Sequence, residues 1–272
     1  MPRKQAREAL TTFQCVLDMP KELLLDDHGL RRATQTQAAR AHLKIYQMSD
    51  AIEILKHETK IEERLPDDDQ DRLCTQRTLA MAYRQNGQIL QAIETLGHVA
   101  NIEAKLADNH RGQLDTQHAL ALAYLDNGHV SQTIKIFERV VKIEQILPED
   151  KVSRLETQHD LAFAYNTGGR RAVAIELLGH VVAVKQKNWP GGHSFRFASE
   201  SLLSEILEDE DYSGDSMSPQ ASTEPEMAAK PVTRKASRLI VRFPRESWWH
   251  ISKLDQHVGE GQACLVGAFR RP

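Results

Sequence analysis

LAMAYRQNG (79–87) is followed 41 residues later by LALAYLDNG (120–128), and after a further 41 residues by LAFAYNTGG (161–169). The tyrosines keep this spacing, and so do the glycines Gly87, Gly128 and Gly169. A Thr-Gln pair recurs with the same period in four copies of the repeat. The threonines of these pairs are Thr34, Thr75, Thr116 and Thr157. Periods of this length are typical of stacked helical hairpins, because each hairpin buries its apolar face against its neighbours. The sequence therefore predicts an all-α solenoid.

The unit 68–108 shows how each copy is built. Its first half, here called helix A, has apolar residues at helical spacing and ends at Gly87, where glycine tolerates positive φ. Its second half, helix B, carries an apolar stripe with spacings of three and four, at Ile89, Ala92, Leu96, Val99, Ile102 and Leu106. The small residue Ala80 recurs as Ala39, Ala121 and Ala162, which allows the partner helix to approach closely.

Candidate caps mark the ends of these helices. Ser153 and Glu156 have the spacing of a capping box before a helix A. Ser49 and Ser131 share one position in the repeat and are predicted to cap a helix B. The acidic residues Asp67–Asp69 precede another helix A, where negative charge is favoured by the helix dipole.

The pattern Leu79-Ala80, Tyr83, Gly87, Ala92 and Leu96 resembles the tetratricopeptide-repeat signature. The unit is seven residues longer than the usual 34. This length, with Thr-Gln near the start of helix A, is similar to the kinesin-light-chain-like type found in fungal tandem arrays and in the tails of NACHT- or NB-ARC-type receptors. The resemblance implies a right-handed superhelical solenoid that binds proteins.

Four regions are predicted along the chain. A partial preceding helix and entry occupy 1–26, with Pro20 interrupting the helix, and the repeat array occupies 27–208. The first copy is degraded, since Tyr46 stands where later copies have glycine. Residues 198–208 resemble a fifth helix A that caps the array. The acidic, Ser/Pro-rich residues 209–237 predict a disordered linker, and 238–272 form a basic, aromatic segment containing Trp248 and Trp249.

In this family the A helices line the concave groove. By register, the candidate groove residues are Arg77, Met81, Arg84, His118, Leu122, Leu125, His159, Phe163 and Asn166. Apolar anchors flanked by imidazoles suit a peptide or helix. An alternative is that Met81, Leu122 and Phe163 simply pack between helices. We also hypothesise that His118 and His159 make ligand affinity depend on pH between about 5.5 and 7.5.

The same register departs from two known types of ligand recognition. Kinesin light chains have asparagines where this chain has Arg77, His118 and His159, so their cargo recognition does not carry over. Met81 and Leu122 occupy asparagine positions of the carboxylate clamp that binds chaperone tails, which argues against that ligand.

The sequence also argues against several other classes of function. A formal net charge of −3 indicates neither nucleic acid nor an anionic membrane as partner. His57, His98 and His180 recur one per repeat, too far apart to share a metal ion. No HExxH, GxSxG, GxGxxG or phosphate-binding loop is present, so we expect neither enzymatic activity nor a cofactor.

Three cysteines without CxxC spacing, Cys15, Cys74 and Cys264, indicate a reducing compartment, and the N-terminus lacks an apolar signal core. These features predict a cytoplasmic location. Together with the absence of catalytic motifs, the family resemblance implies a non-catalytic scaffold for protein–protein interaction, which binds a protein or peptide partner. The alternative is a ligand-sensing or oligomerisation tail of a NACHT/NB-ARC-type receptor NTPase, for which self-association would be expected.

Overall fold

The computed structural model describes residues 2–20, 25, 29–106 and 110–214. Within these ranges every regular element is an α-helix. In chain order the helices are α1 (Pro2–Leu17), α2 (Gly29–Lys44), α3 (Met48–Glu62), α4 (Gln70–Gln85), α5 (Ile89–Glu103), α6 (His110–Asp126), α7 (Val130–Glu144), α8 (Val152–Thr167), α9 (Arg171–Asn188) and α10 (Ser194–Gly214). The predicted all-α fold of repeated helix pairs is confirmed.

The described residues fall into two compact units, which divide between Ile136 and Phe137, within α7. In the first unit each of α1 to α5 packs against the next helix along the chain, and in the second unit α8 packs against α9 and α9 against α10. The predicted basic, aromatic segment 238–272 and the greater part of the predicted linker 209–237 lie outside the described residues. The first residues of that linker belong to α10, which continues to Gly214.

Each core cluster is built from three consecutive helices: helix A, its helix B and the next helix A. In the cluster of α4, α5 and α6, Ala80, Ala92 and Leu96 pack with Ala119, Leu120 and Ala123. The alanines at the small position, Ala39, Ala80, Ala121 and Ala162, are fully buried. Thr133 Oγ1 of α7 donates to the Ala121 carbonyl over 3.1 Å, which shows how closely helix B approaches this point.

The A-to-B turns repeat the same backbone geometry. Gly87, Gly128 and Gly169 have φ values of 80°, 80° and 77°, as the sequence predicted. After each glycine, a backbone amide donates to the carbonyl of the tyrosine five residues earlier over 2.8 Å, for example from Gln88 to Tyr83. These bonds satisfy carbonyl groups that the helix end leaves without partners.

Tyr46 adopts φ 66° in the degraded first copy, at the position where the other copies have glycine. Because a Cβ in the left-handed region costs about 1–2 kcal/mol, we expect Tyr46→Gly to raise the free energy of unfolding by about 1 kcal/mol. The matched change Gly128→Ala, which meets nothing within 4 Å, should lower it by about as much through φ alone. Urea denaturation would measure both, and a loss of stability in Tyr46→Gly would contradict the argument.

The predicted serine caps are wrong. Helix α8 begins at Val152 after Lys151, so Ser153 already lies inside its first turn. Ser49 and Ser131 are likewise the second residues of α3 and α7. The capping box fails because a serine can cap only from the non-helical residue before the helix. Asp69 does cap α4, since its carboxylate accepts from the amides of Asp71 and Arg72.

The two ends of the described array are formed by α1 and α10. Helix α1 ends at Leu17, before Pro20, and packs against α2. At the other end, α10 buries Leu202 and Ile206. Leu203 stands at the small position that holds alanine in the four preceding copies, and it is only half-buried. A larger side chain fits there because no helix B of its own packs against α10 within the described residues.

Candidate peptide-binding groove

The apolar residues of the predicted groove divide into accessible and buried ones. Met81 is half-buried and packs at the edge of the α4–α5–α6 cluster. Phe163, at the same repeat position in the second unit, is also half-buried. Leu122 and Leu125, in contrast, are 9% and 8% exposed, so they contribute mainly to the core. Among the predicted apolar contacts, Met81 and Phe163 are therefore the partly exposed ones.

Arg77 is engaged by a buried partner. Its Nη1 contacts Glu103 Oε1 at 2.5 Å, and the Glu103 side chain is only 1% exposed. Burial raises the pKa of Glu103 above its ordinary value, against the opposing effects of Thr116 and Arg77. A charged carboxylate in that position needs a cation beside it. Arg77 therefore stabilises the interior as well as lying in the predicted groove register.

Arg84 makes a more exposed ion pair. Its Nη1 lies 3.2 Å from Asp126 Oδ2, which joins the ends of α4 and α6, two successive A helices. The Asp126 side chain is 33% exposed, so water screens this pair more than the buried one at Arg77. Asn166, at the same repeat position as Arg84 in the second unit, is half-buried.

The two histidines of the predicted groove lie deeper than the pH hypothesis requires. His118 is 2% exposed. His159 Nδ1 lies 3.0 Å from Ser199 Oγ of α10, and burial lowers the pKa of His159 to about 4. This pKa argues against the hypothesis that His159 makes ligand affinity depend on pH between about 5.5 and 7.5. Its imidazole stays neutral there, because the charged form would lose its hydration without gaining a carboxylate partner strong enough to compensate.

A position that sequence reasoning missed carries buried charge. Helix B ends in Glu62, Glu103 and Glu144, spaced by 41 residues, and the next copy has Lys185. All four side chains are at most 4% exposed. Lys185 Nζ donates to Ser199 Oγ at 2.9 Å and to the Phe195 carbonyl at 3.1 Å, and burial lowers its pKa to about 8. The signal available in the sequence was that a glutamate recurs at this repeat position in three successive copies.

Glu62 shows the electrostatic consequence most clearly. Its Oε1 lies 3.4 Å from Arg32 Nη1 and accepts from Thr75 Oγ1 at 3.1 Å. Burial nevertheless raises the pKa of Glu62 to about 7, from an ordinary value of 4.5. The folded chain therefore holds a proton that the unfolded chain releases between these two pH values.

We accordingly expect Glu62 to make the chain less stable as pH rises from about 4.5 to 7, with no further change above that range. Glu62→Gln keeps the shape and the hydrogen-bond acceptor but removes the titration. Its free energy of unfolding, measured beside the parental protein across this range, should lack a decline on the order of 3 kcal/mol. Parallel pH profiles for the two proteins would show that Glu62 does not titrate near 7.

A second missed feature ties the turn after helix B to the following helix A. Arg72 Nη1 donates to the Leu65 carbonyl at 2.7 Å, and Arg154 Nη1 donates to the Leu147 carbonyl at 2.9 Å. The same repeat position holds Gln113, which donates to the Leu106 carbonyl, and Arg31, whose acceptors are Leu17 and Met19. A long side chain that carries several N–H groups can reach the backbone carbonyls of these turns and hold the turn against the next helix.

Helix α10 carries accessible apolar residues, of which Leu207 continues the groove register. Its residues at spacings of three and four, here called the α10 stripe, are Phe197, Glu200, Ser204 and Leu207. Phe197 is 64% exposed and Leu207 is 42% exposed. Glu200 accepts hydrogen bonds from Gln186 at 2.9 Å and Arg196 at 2.5 Å, which lower the pKa of its carboxyl. The stripe thus combines apolar anchors with negative charge.

The histidines on the B helices are engaged in local contacts. His57 Nδ1 lies 3.3 Å from Glu58 Oε1, and His180 Nε2 lies 3.2 Å from Glu149 Oε1. No group of three or more His, Cys, Asp or Glu side chains that could hold a metal occurs in the part of the chain that the structure describes. In the same part, no helix has the length and apolar character needed to cross a membrane.

Solved structures supply the comparison. Two crystal structures of a Podosopora anserina protein, described as a kinesin light chain with nearly identical TPR-like repeats, are each 37% identical to this chain. One has a TM-score of 0.58, covering 68% of this chain and 89% of the other; the second has a TM-score of 0.57, covering 69% and 90%. BtubC (BKLC) from P. vanneervenii shares the fold at 12% identity, with a TM-score of 0.54 and coverage of 84% and 97%.

No protein-family model matches the chain, and no curated protein matches it significantly. The Podosopora anserina structures nevertheless combine substantial identity with coverage of most of their own length. The TPR-like repeats of those structures agree with the consecutive helix pairs of this chain. The chain therefore belongs to the tetratricopeptide-repeat proteins of the kinesin-light-chain-like type.

Proposed function

We propose that the chain is a non-catalytic scaffold for protein–protein interaction, which binds a peptide or a helix on the exposed face of its A helices. One observation carries the proposal. Met81 and Phe163 occupy equivalent positions of the repeat and remain half-buried, whereas Leu122 at the same position is buried. Apolar side chains that are partly open and surrounded by polar groups are typical anchors for an extended or helical ligand.

The polar neighbours of these anchors support a binding role. Arg84 is held by Asp126, and Arg77 is held by Glu103. Fixed guanidinium groups lose less conformational entropy when a ligand binds, so directional hydrogen bonds at the edge of the groove become more favourable. We further propose a cytoplasmic location, since Cys15 and Cys74 are free thiols.

Peptide display with the full chain tests this proposal. Selected peptides should bind the parental protein with micromolar affinity by fluorescence polarisation, and Met81→Glu or Phe163→Glu should weaken binding at least tenfold. A charged side chain would replace the apolar contact at the anchor. Circular dichroism verifies that each variant is folded.

Leu90→Glu is the matched control, because Leu90 is 69% exposed on helix B α5 and lies outside the groove register. Equal weakening by Leu90→Glu and the two groove variants would move the ligand site away from the A helices. Self-association of the full chain in sedimentation experiments, together with a failure to select any peptide, would instead favour the receptor-tail alternative.

A further inference from the structure

The α10 stripe has an unusual composition for a surface that meets only water. Single exposed apolar residues are ordinary on proteins, but Phe197 and Leu207 share an arc of about 80° on α10 with Ser204 between them. In repeat register they follow the positions that hold Glu156 and Asn166 in α8. The stripe therefore offers two apolar anchors about 15 Å apart along one helix.

Its surroundings are strongly acidic. Residues 197–214 contain Glu200, Glu205, Glu208 and three further carboxylates in the sequence, but no Lys or Arg. Glu208 is exposed and accepts from Ser204 Oγ at 3.3 Å, beside Leu207. Arg196, the nearest cation before this stretch, is paired with Glu200. A ligand for the stripe should consequently carry apolar or aromatic side chains together with positive charge.

The same chain contains a segment with this chemistry. Residues 238–249, RLIVRFPRESWW, carry three arginines and one glutamate. Between the charges lie aliphatic residues, Phe243, and the pair Trp248 and Trp249. Arginine and tryptophan are the residue types that contribute most to binding energy at protein interfaces.

We propose that residues 238–249 are an intramolecular ligand of the α10 stripe, with their aromatic side chains on Phe197 and Leu207 and their arginines facing the α10 carboxylates. This proposal rests on the proposed function, since it assigns an occupant to the same face of the A helices. It concerns the second unit, to which α10 belongs.

The connection is long enough for this return. Residues 215–237 provide 23 residues between the end of α10 and the proposed ligand. A chain of that length spans at most about 80 Å, whereas the stripe begins only about 25 Å back along the helix. A ligand tethered at this distance acts at an effective concentration in the millimolar range, so even a weak contact would be occupied. An external peptide for the second unit would then have to displace it.

Tryptophan fluorescence of the full chain tests the proposal. Trp189→Phe removes the tryptophan of the described core while keeping an aromatic ring against Phe195, so the remaining signal comes from Trp248 and Trp249. Acrylamide should quench these residues at least threefold less efficiently in the native protein than in urea. Phe197→Ser with Leu207→Ser should remove that protection, and so should Glu205→Lys with Glu208→Lys.

Leu90 lies in the first unit and is about as exposed as Phe197. The control change Leu90→Ser should therefore leave the protection of Trp248 and Trp249 from acrylamide unchanged. Equal quenching in native buffer and urea would overturn the proposal, as would protection that survives both double substitutions. Protection that increases with protein concentration would also overturn it, in favour of a second copy as the acceptor. Because this readout needs no external peptide, it separates failure of this proposal from failure of the proposed function.

Discussion

Arg77→Met is expected to lower the free energy of unfolding by about 3 kcal/mol at pH 7. The substitution preserves much of the apolar side chain but removes the guanidinium from Glu103, which is 1% exposed. Leaving one member of a buried ion pair without its partner typically costs about 3–5 kcal/mol, because the remaining charge is neither hydrated nor paired. Chemical denaturation of the full chain, followed by circular dichroism, measures it.

Two further variants determine whether the cause is electrostatic. Arg84→Met should cost less than about 1 kcal/mol, because Asp126 remains 33% exposed and can be hydrated. The double change Arg77→Met with Glu103→Met should recover most of the lost stability, since it removes both charges and keeps the volume. If both single arginine variants lose the same stability, the burial of Glu103 is not the reason.

Ala121→Leu is expected to destabilise the chain by about 3 kcal/mol or more. Ala121 is fully buried, and Thr133 of α7 donates directly to its carbonyl at 3.1 Å. Three additional carbon atoms at this position have to displace α7 or adopt a strained rotamer. Urea denaturation of the variant beside the parental protein measures the loss.

Leu203→Ala is the matched reverse change at the same repeat position in α10. Leu203 is half-buried, so its truncation should cost no more than about 1.5 kcal/mol, less than the roughly 2–5 kcal/mol that truncation of a fully buried leucine costs. If leucine at position 121 costs as little stability as leucine at position 203, the close approach of helix B is not the reason for alanine at this repeat position.

The fold was largely readable because its determinants are local and repeated. The period of 41 residues places the same turn, the same small residue and the same apolar stripe in every copy. The degraded first copy was also recognisable, because Tyr46 stands at the repeat position of the turn glycine. The structure shows that Tyr46 adopts φ 66° there. The errors at Ser49, Ser131 and Ser153 came from helix starts, where a shift of one or two residues changes a cap into an ordinary first-turn residue.

The candidate groove was less predictable, because the environment of its side chains depends on residues from other helices. Met81, Leu122 and Phe163 share one register and differ in burial. His159 has the sequence context of an exposed imidazole, yet its contact with Ser199 and its desolvation keep it neutral. Periodicity predicts which face of a helix a residue occupies, but not how deeply its neighbours cover it.

The sequence by itself determined the helix pairs, the left-handed turns and the close approach at the alanine position, since each follows from backbone preference and side-chain volume within one unit. Only the tertiary structure decided where the charges lie: Arg77 on Glu103, Arg84 on Asp126, and Lys185 between Phe195 and Ser199. The physical reason is that a charge must find its partner across two or three packed helices, and this distance is set by the packing rather than by any local pattern.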